Sequence, residues 1–392
     1  MSYDIVLLST ADWDNPFWTN KQYMASKFAE QGHRVLYVDS IGLRKPTAGK
    51  RDISRIIKRL FKGLKGLRKV QNNIWVYSPL VIPFHSSSFT DRLNSRIMKT
   101  MLRFFFKKLD FVRPIIWTYN PLSVDLATTI DRSIIVYHCV DDLSAAPGMN
   151  GEKIKNDDLL LAKAADIIFT TNPKLQAHFS EIRPERSFYY PNVVDYKHFS
   201  KSREHGAIPE DIRSISKPRI GFIGAISEYK VDFDLIEYIA KLHSEWHWVL
   251  VGQVGEGQPW TSIERLQLPN IHFLGPKPYS QLPAYLRGID VATIPAARNA
   301  YTEAMFPMKF FEYLAAGKPV VATNIRSLQE YSQACLLSDT ADDFNADLER
   351  VLNGEGSDPK VGIELAKKYT WDWRLKEMRR EIEKVMKEKD GP

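Results

Sequence analysis

The chain has 392 residues and a formal net charge of +7, with 44% hydrophobic and 12% aromatic residues. This length exceeds one typical hydrophobic core and predicts two domains of about 150–200 residues each. The composition excludes a disordered chain, and no uninterrupted apolar segment reaches the roughly 18 residues that a membrane-spanning helix needs. The two cysteines, Cys139 and Cys335, have no metal-binding spacing. We therefore expect free cysteines in the core of a cytosolic protein.

Apolar runs typical of buried strands alternate with helical segments through the first half of the chain. The pattern begins with a strand over Asp4–Thr10, a helix up to Gly32 and a second strand over Arg34–Asp39. Further strands are predicted at 74–78, 115–120, 133–139, 166–171 and 187–194. Short strands that are apolar throughout are typical of a parallel sheet covered by helices on both faces.

A second series of strands begins at Arg219–Ile226. It continues at 247–252, 271–275, 290–295 and 318–323. The segment between the two series, Lys201–Lys217, is polar, charged and without periodicity, and we predict that it is a linker. The sequence therefore predicts one domain over residues 1–205 and another over 216–371, followed by a charged helix from Trp371.

The segment Met308–Ala322 predicts a helix that begins after Pro307, ends at Gly317 and is followed by a buried strand. This helix places Lys309 in its first turn and Glu312 one turn later on the same side. In open α/β sheets, ligands bind at the carboxyl ends of the strands, where helix N-termini collect phosphates. A lysine suits a diphosphate and a carboxylate suits a ribose diol. The alternative is an ordinary amphipathic helix whose charges lie in water.

The same segment matches the pattern P-x-K-x-x-E-Y-x-A-x-G-K-P-V-V from Pro307 to Val321. It resembles the nucleotide-sugar-binding signature of GT-B glycosyltransferases in the broad family 4-like group. Many members carry an additional glutamate eight residues before the second one, but that position is Ala304 here, and Glu303 is one residue out of register. The pattern is therefore closer to the subgroup that includes the xanthan glucuronosyltransferase type.

This resemblance implies a GT-B fold, in which two Rossmann-like, doubly wound α/β domains face a cleft. It also implies that a C-terminal helix over about 372–392 crosses back to domain one. The segment Tyr189–Asp195 resembles the P-N-G-V-D that closes domain one in family 4, with Val193 in place of the usual glycine.

The resemblance further implies a nucleotide-sugar donor site in domain two, with UDP as the favoured nucleotide. Met308, Lys309 and Glu312 would hold the donor, and backbone groups of Lys277 and Pro278 would contact the nucleobase. Gly224 ends the first strand of domain two, where a glycine lets the backbone approach a phosphate. Packing alone also explains a glycine there. No metal or other cofactor is expected, because lysines and helix N-termini offset the leaving-group charge in GT-B transfer.

Domain one is expected to supply the catalytic base from Ile135–Ser144, where two carboxylates follow a buried strand. Adjacent negative charges favour proton uptake, which suits a general base. The segment looks like the Y-x-x-x-D-x-L-S of the xanthan-type enzyme, which implies that Asp141 is the base of an inverting transfer. The alternative is that one aspartate caps the following turn and the other is solvated. His138 is a second candidate base, although a histidine inside an apolar strand is more often a core residue.

The segment Ala11–Asn20 follows the first strand and combines exposed aromatic residues with Asp and Asn, which suits sugar recognition. We predict acceptor contacts from Asp12, Trp13 and Asn20. Asp12-Trp13-Asp14 and Asp232-Phe233-Asp234 also spell the D-x-D metal motif of GT-A enzymes, but neither has that motif's context. Arg298 precedes the predicted nucleotide helix, and a contact with the diphosphate, a contact with an acidic sugar or a surface role is open to it.

Positive charge is concentrated between Arg44 and Lys69, where there are eleven Lys/Arg and one acidic residue. Apolar residues recur there at helical spacing opposite the basic face, which is typical of a helix lying on an anionic membrane. The predicted membrane residues are Arg55, Lys58, Arg59, Phe61 and Lys62. The basic, apolar segment Arg92–Lys108 is expected to support them. The alternatives are a solvated helix or a nucleic-acid surface, and the density of aliphatic residues favours the membrane.

The sequence thus predicts a cytoplasmic glycosyltransferase, peripheral on the inner face of the plasma membrane. It would move a sugar from a nucleoside diphosphate to a lipid-linked or polysaccharide acceptor in surface polysaccharide assembly. Two alternatives stay open. One is a nucleotide-sugar epimerase of the same fold, and the other is a catalytically degenerate membrane-associated partner protein.

Overall fold

The computed structural model describes residues 2–15, 18–40, 63, 66–80 and 88–390. The chain divides into two compact units. Unit 1 comprises Met1–Thr171, Leu175–Tyr190 and Leu375–Pro392, and unit 2 comprises Asn172–Lys174 and Pro191–Arg374. Each unit contains its own sheet, as the two series of apolar runs predict.

Unit 1 is built on an eight-stranded sheet in the order β3-β4-β2-β1-β5-β6-β7-β8. The strands are β1 (Asp4–Leu8), β2 (Arg34–Val38), β3 (Leu67–Gln71), β4 (Ile74–Tyr77), β5 (Ile115–Thr118), β6 (Ile135–Cys139), β7 (Ile167–Thr170) and β8 (Ser187–Tyr189). All neighbours are parallel except the edge pair β3 and β4. The end of the basic segment, Leu67–Lys69, therefore belongs to an edge strand and not to the predicted amphipathic helix.

Helices flank this sheet because its central strands are apolar on both faces. They are α1 (Asn20–Glu30), α2 (Ser88–Leu109), α3 (Val124–Thr129), α4 (Gly151–Ala164) and α5 (Pro173–Ile182). Trp117 of β5 is fully buried and contacts the rings of Phe28, His138 and Phe169. Cys139 and Cys335 are free and buried in their respective units.

Unit 2 contains a six-stranded parallel sheet in the order β11-β10-β9-β12-β13-β14. The strands are β9 (Arg219–Ile223), β10 (His247–Val251), β11 (Ile271–Phe273), β12 (Val291–Ile294), β13 (Val320–Thr323) and β14 (Leu336–Ser338). The helices are α6 (Tyr196–Phe199), α7 (Glu210–Arg213), α8 (Phe233–Leu242), α9 (Leu282–Gly288), α10 (Ala300–Glu303), α11 (Lys309–Ala315), α12 (Ala341–Leu352) and α13 (Pro359–Lys368). The last helix, α14 (Trp371–Asp390), begins in unit 2 and belongs to unit 1 from Leu375 onward.

The predicted linker is wrong, because Lys201–Lys217 is a folded part of unit 2. Ile212 and Ile215 lie in the core of that unit. The buried Arg219 guanidinium donates hydrogen bonds to the carbonyls of Ile215, at 2.7 Å, and Gly288, at 3.1 Å. A few apolar side chains thus anchor a segment most of whose charged side chains are exposed. The boundary lies between Tyr190 and Pro191, earlier than the sequence suggested.

Candidate functional site

Three glycines lie at the carboxyl edge of the unit 2 sheet, after the adjacent strands β9, β10 and β11. The Gly224 N–H donates to the Val251 carbonyl at 2.9 Å, and the Gly252 N–H donates to the Gly275 carbonyl at 3.0 Å. A Cβ on Gly252 would lie 1.7 Å from the Gly224 oxygen. The loops therefore interlock through their backbones, and this packing by itself accounts for the glycine at Gly252.

Lys309 and Glu312 meet on one side of helix α11, as their spacing predicts. The Lys309 Nζ lies 3.2 Å from the Glu312 Oε2. The Glu312 side chain is only 7% exposed, and the Lys309 side chain is 29% exposed. Burial raises the pKa of the Glu312 carboxyl, while Lys309 and His198 act in the opposite direction. The helix is fixed to the sheet because the Ile223 N–H donates to the buried Tyr313 hydroxyl at 2.8 Å.

His198 joins helix α11 to the loop predicted to contact the nucleobase. It lies close enough to Glu312 for its imidazolium form to lower the pKa of that carboxyl. Its ring stacks on Tyr279 with centroids 4.3 Å apart, and its Nε2 lies 2.9 Å from the Tyr279 carbonyl oxygen. Tyr279 directly follows Lys277 and Pro278 in the chain. The structure thus brings the predicted donor-binding segments together, through a histidine that sequence reasoning missed.

The Lys277 side chain is bound to the protein itself. Its ammonium lies 2.7 Å from the Asp211 carboxylate and 5.1 Å from the Tyr285 ring centroid. The Asp211 hydrogen bond raises the pKa of Lys277. Any ligand contact at Lys277 is therefore left to its backbone, as the resemblance implies.

Two asparagines hold the turn that leads into helix α11. The Asn172 amide donates to the Met305 carbonyl at 3.0 Å, and the Asn192 amide donates to the Phe306 carbonyl at 2.6 Å. Ala304, which stands where the resembled signature often has a glutamate, is 1% exposed. Sequence reasoning missed both asparagines. Asn192 lies inside the Pro191–Asp195 motif, which was the available signal.

Arg298 is bound to backbone carbonyls. Its guanidinium donates to the carbonyls of Asn324, Ser338 and Asp339 at 3.2, 3.1 and 2.8 Å. These contacts tie together the ends of β13 and β14. Asp232, in the second D-x-D, caps helix α8 by accepting from the Leu235 N–H at 3.0 Å.

The two carboxylates after β6 in unit 1 have different environments. Asp142 accepts hydrogen bonds from the Ser144 N–H at 3.0 Å and the Ser144 hydroxyl at 2.6 Å, so it caps the following turn. Asp141 is half-buried, and within the described part of the chain its carboxylate makes no hydrogen bond. Asp141 is therefore the member of the pair that is available for chemistry. His138 is fully buried beside the rings of Trp117, Tyr119 and Phe169, as a core histidine would be.

The expected exposure of Trp13 is wrong. Its side chain is 7% exposed, its N–H donates to the Asp39 carboxylate at 2.7 Å, and its ring packs edge-on against Tyr37. A buried ring cannot stack on a sugar without rearrangement. Asn20 is also buried, whereas Asp12 is half-buried and uses its carbonyl to accept from the Gln22 side chain at 2.9 Å. Acceptor contacts from Asp12 and Asn20 stay predictions.

The predicted membrane residues Arg55, Lys58, Arg59, Phe61 and Lys62 lie outside the described residues. The supporting segment is described and forms helix α2. Of the helices that the structure describes, none is long and apolar enough to cross a membrane.

Comparison with known proteins identifies the class. The family model of glycosyl transferases group 1 matches residues 217–354, which contain helix α11 and the three glycines at the carboxyl edge of the unit 2 sheet. TuaH of Bacillus subtilis strain 168, named as a candidate glycosyltransferase of teichuronic acid biosynthesis, is 30% identical over 279 residues, covering 66% of this chain and 68% of TuaH.

Solved structures support the same fold along nearly the whole chain. Sucrose-phosphate synthase from Thermosynechococcus elongatus superposes with a TM-score of 0.72 at 15% identity, covering 98% of this chain and 99% of that one. Anabaena HepE in complex with UDP superposes with a TM-score of 0.65 at 14% identity, covering 98% and 100%. The chain therefore belongs to the group 1 glycosyltransferases, the family 4-like enzymes of GT-B fold.

Proposed function

We propose that this glycosyltransferase takes its sugar from a nucleoside diphosphate, with UDP as the favoured nucleotide. The acceptor would be a lipid-linked or polysaccharide glycan in cell-surface polysaccharide assembly. The observation that carries the donor assignment is the pair of Lys309 and buried Glu312, 3.2 Å apart at the start of helix α11. Teichuronic acid biosynthesis, for which TuaH is named, supports the general pathway class.

The donor would be held by opposite charges with different tasks. The Glu312 carboxylate accepts hydrogen bonds from the two ribose hydroxyls, while the part-exposed Lys309 ammonium pairs with the diphosphate. As the sugar leaves, negative charge grows on that diphosphate, so a fixed cation stabilises the transition state without a metal ion. HepE, whose structures contain UDP and UDP-glucose, supports UDP as the first nucleotide to test.

Asp141 would be the general base that activates the acceptor hydroxyl. Its neighbour Asp142 caps the following turn, and the Asp141 carboxylate is left to accept a proton. A base in this role favours transfer with inversion. If transfer retains configuration, the leaving phosphate acts as the base and Asp141 orients the sugar.

The membrane assignment is supported by the outer face of helix α2. Its exposed side chains include the cations Arg92, Arg96, Arg103, Lys107 and Lys108. Ile97 and Phe104 are exposed beside them, at 37% and 57%. Among the helix side chains that the structure describes, none of the exposed ones is acidic. Cations near an anionic leaflet contribute about 1 kcal/mol each, and exposed apolar groups add burial in the interface.

The test is calorimetric titration with UDP, GDP and their sugars, using wild type, Glu312→Ala and the matched control Glu303→Ala. Hydrogen bonds to a charged group contribute about 1.5–3 kcal/mol, so Glu312→Ala is expected to weaken UDP binding about tenfold or more. The control removes a glutamate one residue out of register and should bind as wild type does. Absence of nucleotide binding by wild type would refute the donor proposal.

A further inference from the structure

The loop between β11 and helix α9 is held to the rest of unit 2 by side-chain contacts on both sides of Pro278. On one side, the Lys277 ammonium lies 2.7 Å from the Asp211 carboxylate. On the other side, His198 contacts Tyr279, which follows Pro278 directly. The two residues predicted to contact the nucleobase, Lys277 and Pro278, therefore lie between two fixed points of the loop.

The contact between His198 and Tyr279 has two chemically different parts. The two rings are stacked, with centroids 4.3 Å apart and an interplanar angle of 13°. The His198 Nε2 lies 2.9 Å from the Tyr279 carbonyl oxygen, and Nε2 must carry the proton because a carbonyl oxygen can only accept. The hydrogen bond fixes the backbone of the loop, whereas the stack fixes a side chain. Since the two residues are 81 positions apart in the chain, this is a tertiary contact and not a property of the local turn.

Helix α6, which carries His198, is itself fixed against helix α11. Its N-cap residue Asp195 accepts from the His198 N–H at 3.1 Å. The next residue, Phe199, is 1% exposed and belongs to the same core cluster as Phe310 of helix α11. His198 also lies close enough to Glu312 for its imidazolium form to lower the pKa of that carboxyl. The His198 ring thus extends from an anchored helix beside Glu312 to the backbone of the loop.

This arrangement has a consequence for ligand binding. A loop that is already ordered binds more tightly than a loop that must be ordered on binding, because the loss of conformational entropy precedes the ligand. In the proposed function, this loop contacts the nucleobase and Glu312 contacts the ribose. A side chain that joins the two segments makes these contacts interdependent, since a base bound in place brings the ribose hydroxyls to Glu312.

We propose that His198 is a positioning residue for donor recognition. It holds the loop after β11 in register with helix α11, so that the nucleobase and the ribose are recognised together. The part in donor recognition rests on the proposed function, whereas the holding of the loop does not. His198 acts through Tyr279, and we assign it no contact with the nucleotide.

Two variants separate the parts of the His198 contact. His198→Phe keeps a ring that can stack on Tyr279 but removes the Nε2 donor. His198→Gln removes the ring but keeps an N–H donor at a similar distance from the backbone. The matched control is His243→Phe. His243 is also a half-buried histidine of unit 2, and it stacks on the Trp246 ring with centroids 3.7 Å apart.

The first measurement is hydrogen exchange of the ligand-free protein, followed by mass spectrometry of peptides that cover residues 274–282. The Gln281 N–H donates to the Pro278 carbonyl at 2.9 Å, so its exchange reports on the order of the loop. His198→Phe should raise exchange of the loop about three- to tenfold, the usual effect of one lost hydrogen bond. His198→Gln should exchange nearly as wild type does, and His243→Phe should leave the loop unchanged. Equal exchange in His198→Phe and wild type would overturn the proposal.

The second measurement is calorimetric titration with UDP, 2′-deoxy-UDP, CDP and 2′-deoxy-CDP. Loss of the 2′-hydroxyl removes a ribose contact, and replacement of uracil by cytosine changes a base contact. In wild type, loss of the hydroxyl should weaken binding about fivefold more in the uracil pair than in the cytosine pair, because the two contacts are made together. In His198→Phe the two losses should become independent, and UDP affinity should fall about three- to tenfold.

A purely structural effect of the substitution would lower all four affinities equally and leave the interdependence unchanged. The proposal is therefore overturned if the interdependence persists in His198→Phe or is absent from wild type. Restoration of the interdependence by His198→Gln, with His243→Phe behaving as wild type, is the expected result.

The two measurements also separate this inference from the donor proposal. Faster loop exchange in His198→Phe, without nucleotide binding by wild type, would refute the donor site and with it the part of His198 in recognition. The holding of the loop would then stand alone. UDP binding that is lost in Glu312→Ala, together with unchanged loop exchange in His198→Phe, would refute the role of His198 and leave the donor site.

Discussion

The carboxyl edges of the two sheets use different parts of the chain to form their surfaces. In unit 2, the loops after β9, β10 and β11 interlock through backbone groups of Gly224, Gly252 and Gly275. In unit 1, the ends of β1, β2 and β5 carry polar side chains that line a cavity of about 540 Å³. A backbone surface has a geometry that few substitutions can alter, which suits the proposed nucleotide site. A side-chain surface can be changed one residue at a time.

The strongest test of this difference between the two units replaces the predicted base of unit 1 and leaves the proposed donor residues of unit 2 unchanged. Asp141→Asn should lower turnover by about 10²–10⁴-fold, the usual contribution of a positioned general base. UDP affinity should not change, because Asp141 and the donor residues belong to different units. Turnover would be followed as acceptor-dependent UDP release with a lipid extract as the acceptor source.

Asp142→Asn is the matched control for that variant. Asparagine caps a turn as well as aspartate does, so the bond to the Ser144 N–H and near-normal turnover should persist. If Asp141→Asn were as active as wild type, the base would lie elsewhere. UDP release that needs no acceptor would favour an epimerase.

The second test breaks the backbone edge of unit 2. A Cβ at Gly252 would lie 1.7 Å from the Gly224 carbonyl oxygen, and backbone cannot move aside cheaply. Gly252→Ala is therefore expected to cost about 3–5 kcal/mol of stability, lowering the calorimetric melting temperature of unit 2 by about 10 °C. The matched control is Gly354→Ala, where φ is +85° and nothing lies within 4 Å of the added atom. It should cost only about 1 kcal/mol of left-handed strain. Equal melting temperatures of the Gly252→Ala and Gly354→Ala variants would contradict the prediction, because they would show that the backbone around Gly252 can move aside at little cost.

The sequence predicted the contact between the proposed donor residues better than the exposure of the proposed acceptor residues, and the reason is the range of the contacts. Lys309 and Glu312 meet within one helical turn, so their spacing alone brings them together. Trp13 is buried because it packs on Tyr37 and bonds to Asp39, residues distant in the chain. The residue types after a strand indicate a site, but they do not predict which of the side chains there are buried in the core.

The same reasoning explains why the predicted linker is wrong. The segment Lys201–Lys217 looks like a linker because its apolar contacts with the core come from Ile208, Ile212 and Ile215, and such sparse apolar residues leave no periodicity.

Acid titration provides a third test, because two unit 1 groups respond to pH in opposite directions. Burial lowers the pKa of His33 to about 4, with Arg379 adding to the effect. The imidazole stays neutral and accepts from the Tyr3 N–H at 3.0 Å. Since the unfolded chain takes up this proton near pH 6.5, stability is lost as pH falls from about 6.5 to 4.

Burial also raises the pKa of Asp158 to about 6, although the Tyr137 hydroxyl donates to it. The folded chain therefore holds this proton more tightly than the unfolded chain. Stability from Asp158 is present at low pH and is lost as pH rises from about 4 through 6. In wild type the two effects offset each other.

Single variants should reveal each effect separately. Relative to wild type, Asp158→Asn should lose about 2–3 kcal/mol of unfolding free energy between pH 6 and 4, because only His33 still responds. His33→Asn should gain a similar amount over the same interval. Urea unfolding at several pH values measures both. Parallel profiles for the two variants would contradict the assigned shifts and would place the acid response of unit 1 in other groups.

The smallest expected effect concerns membrane binding by the exposed face of helix α2. It tests whether unit 1 contributes more than unit 2 to the affinity for lipid vesicles. Phe104→Ala should weaken binding to phosphatidylglycerol vesicles about fivefold, since burial of a half-exposed ring contributes about 1 kcal/mol. Leu242→Ala is the matched control in unit 2, because Leu242 is 54% exposed and Phe104 is 57% exposed.

Co-sedimentation in low and high salt should show binding that falls with ionic strength, as attraction between the exposed cations and the lipid requires. Equal losses in both variants would mean that any exposed apolar side chain contributes, and helix α2 would then have no special place at the membrane. A loss confined to Phe104→Ala would place unit 1, and not unit 2, against the lipid surface.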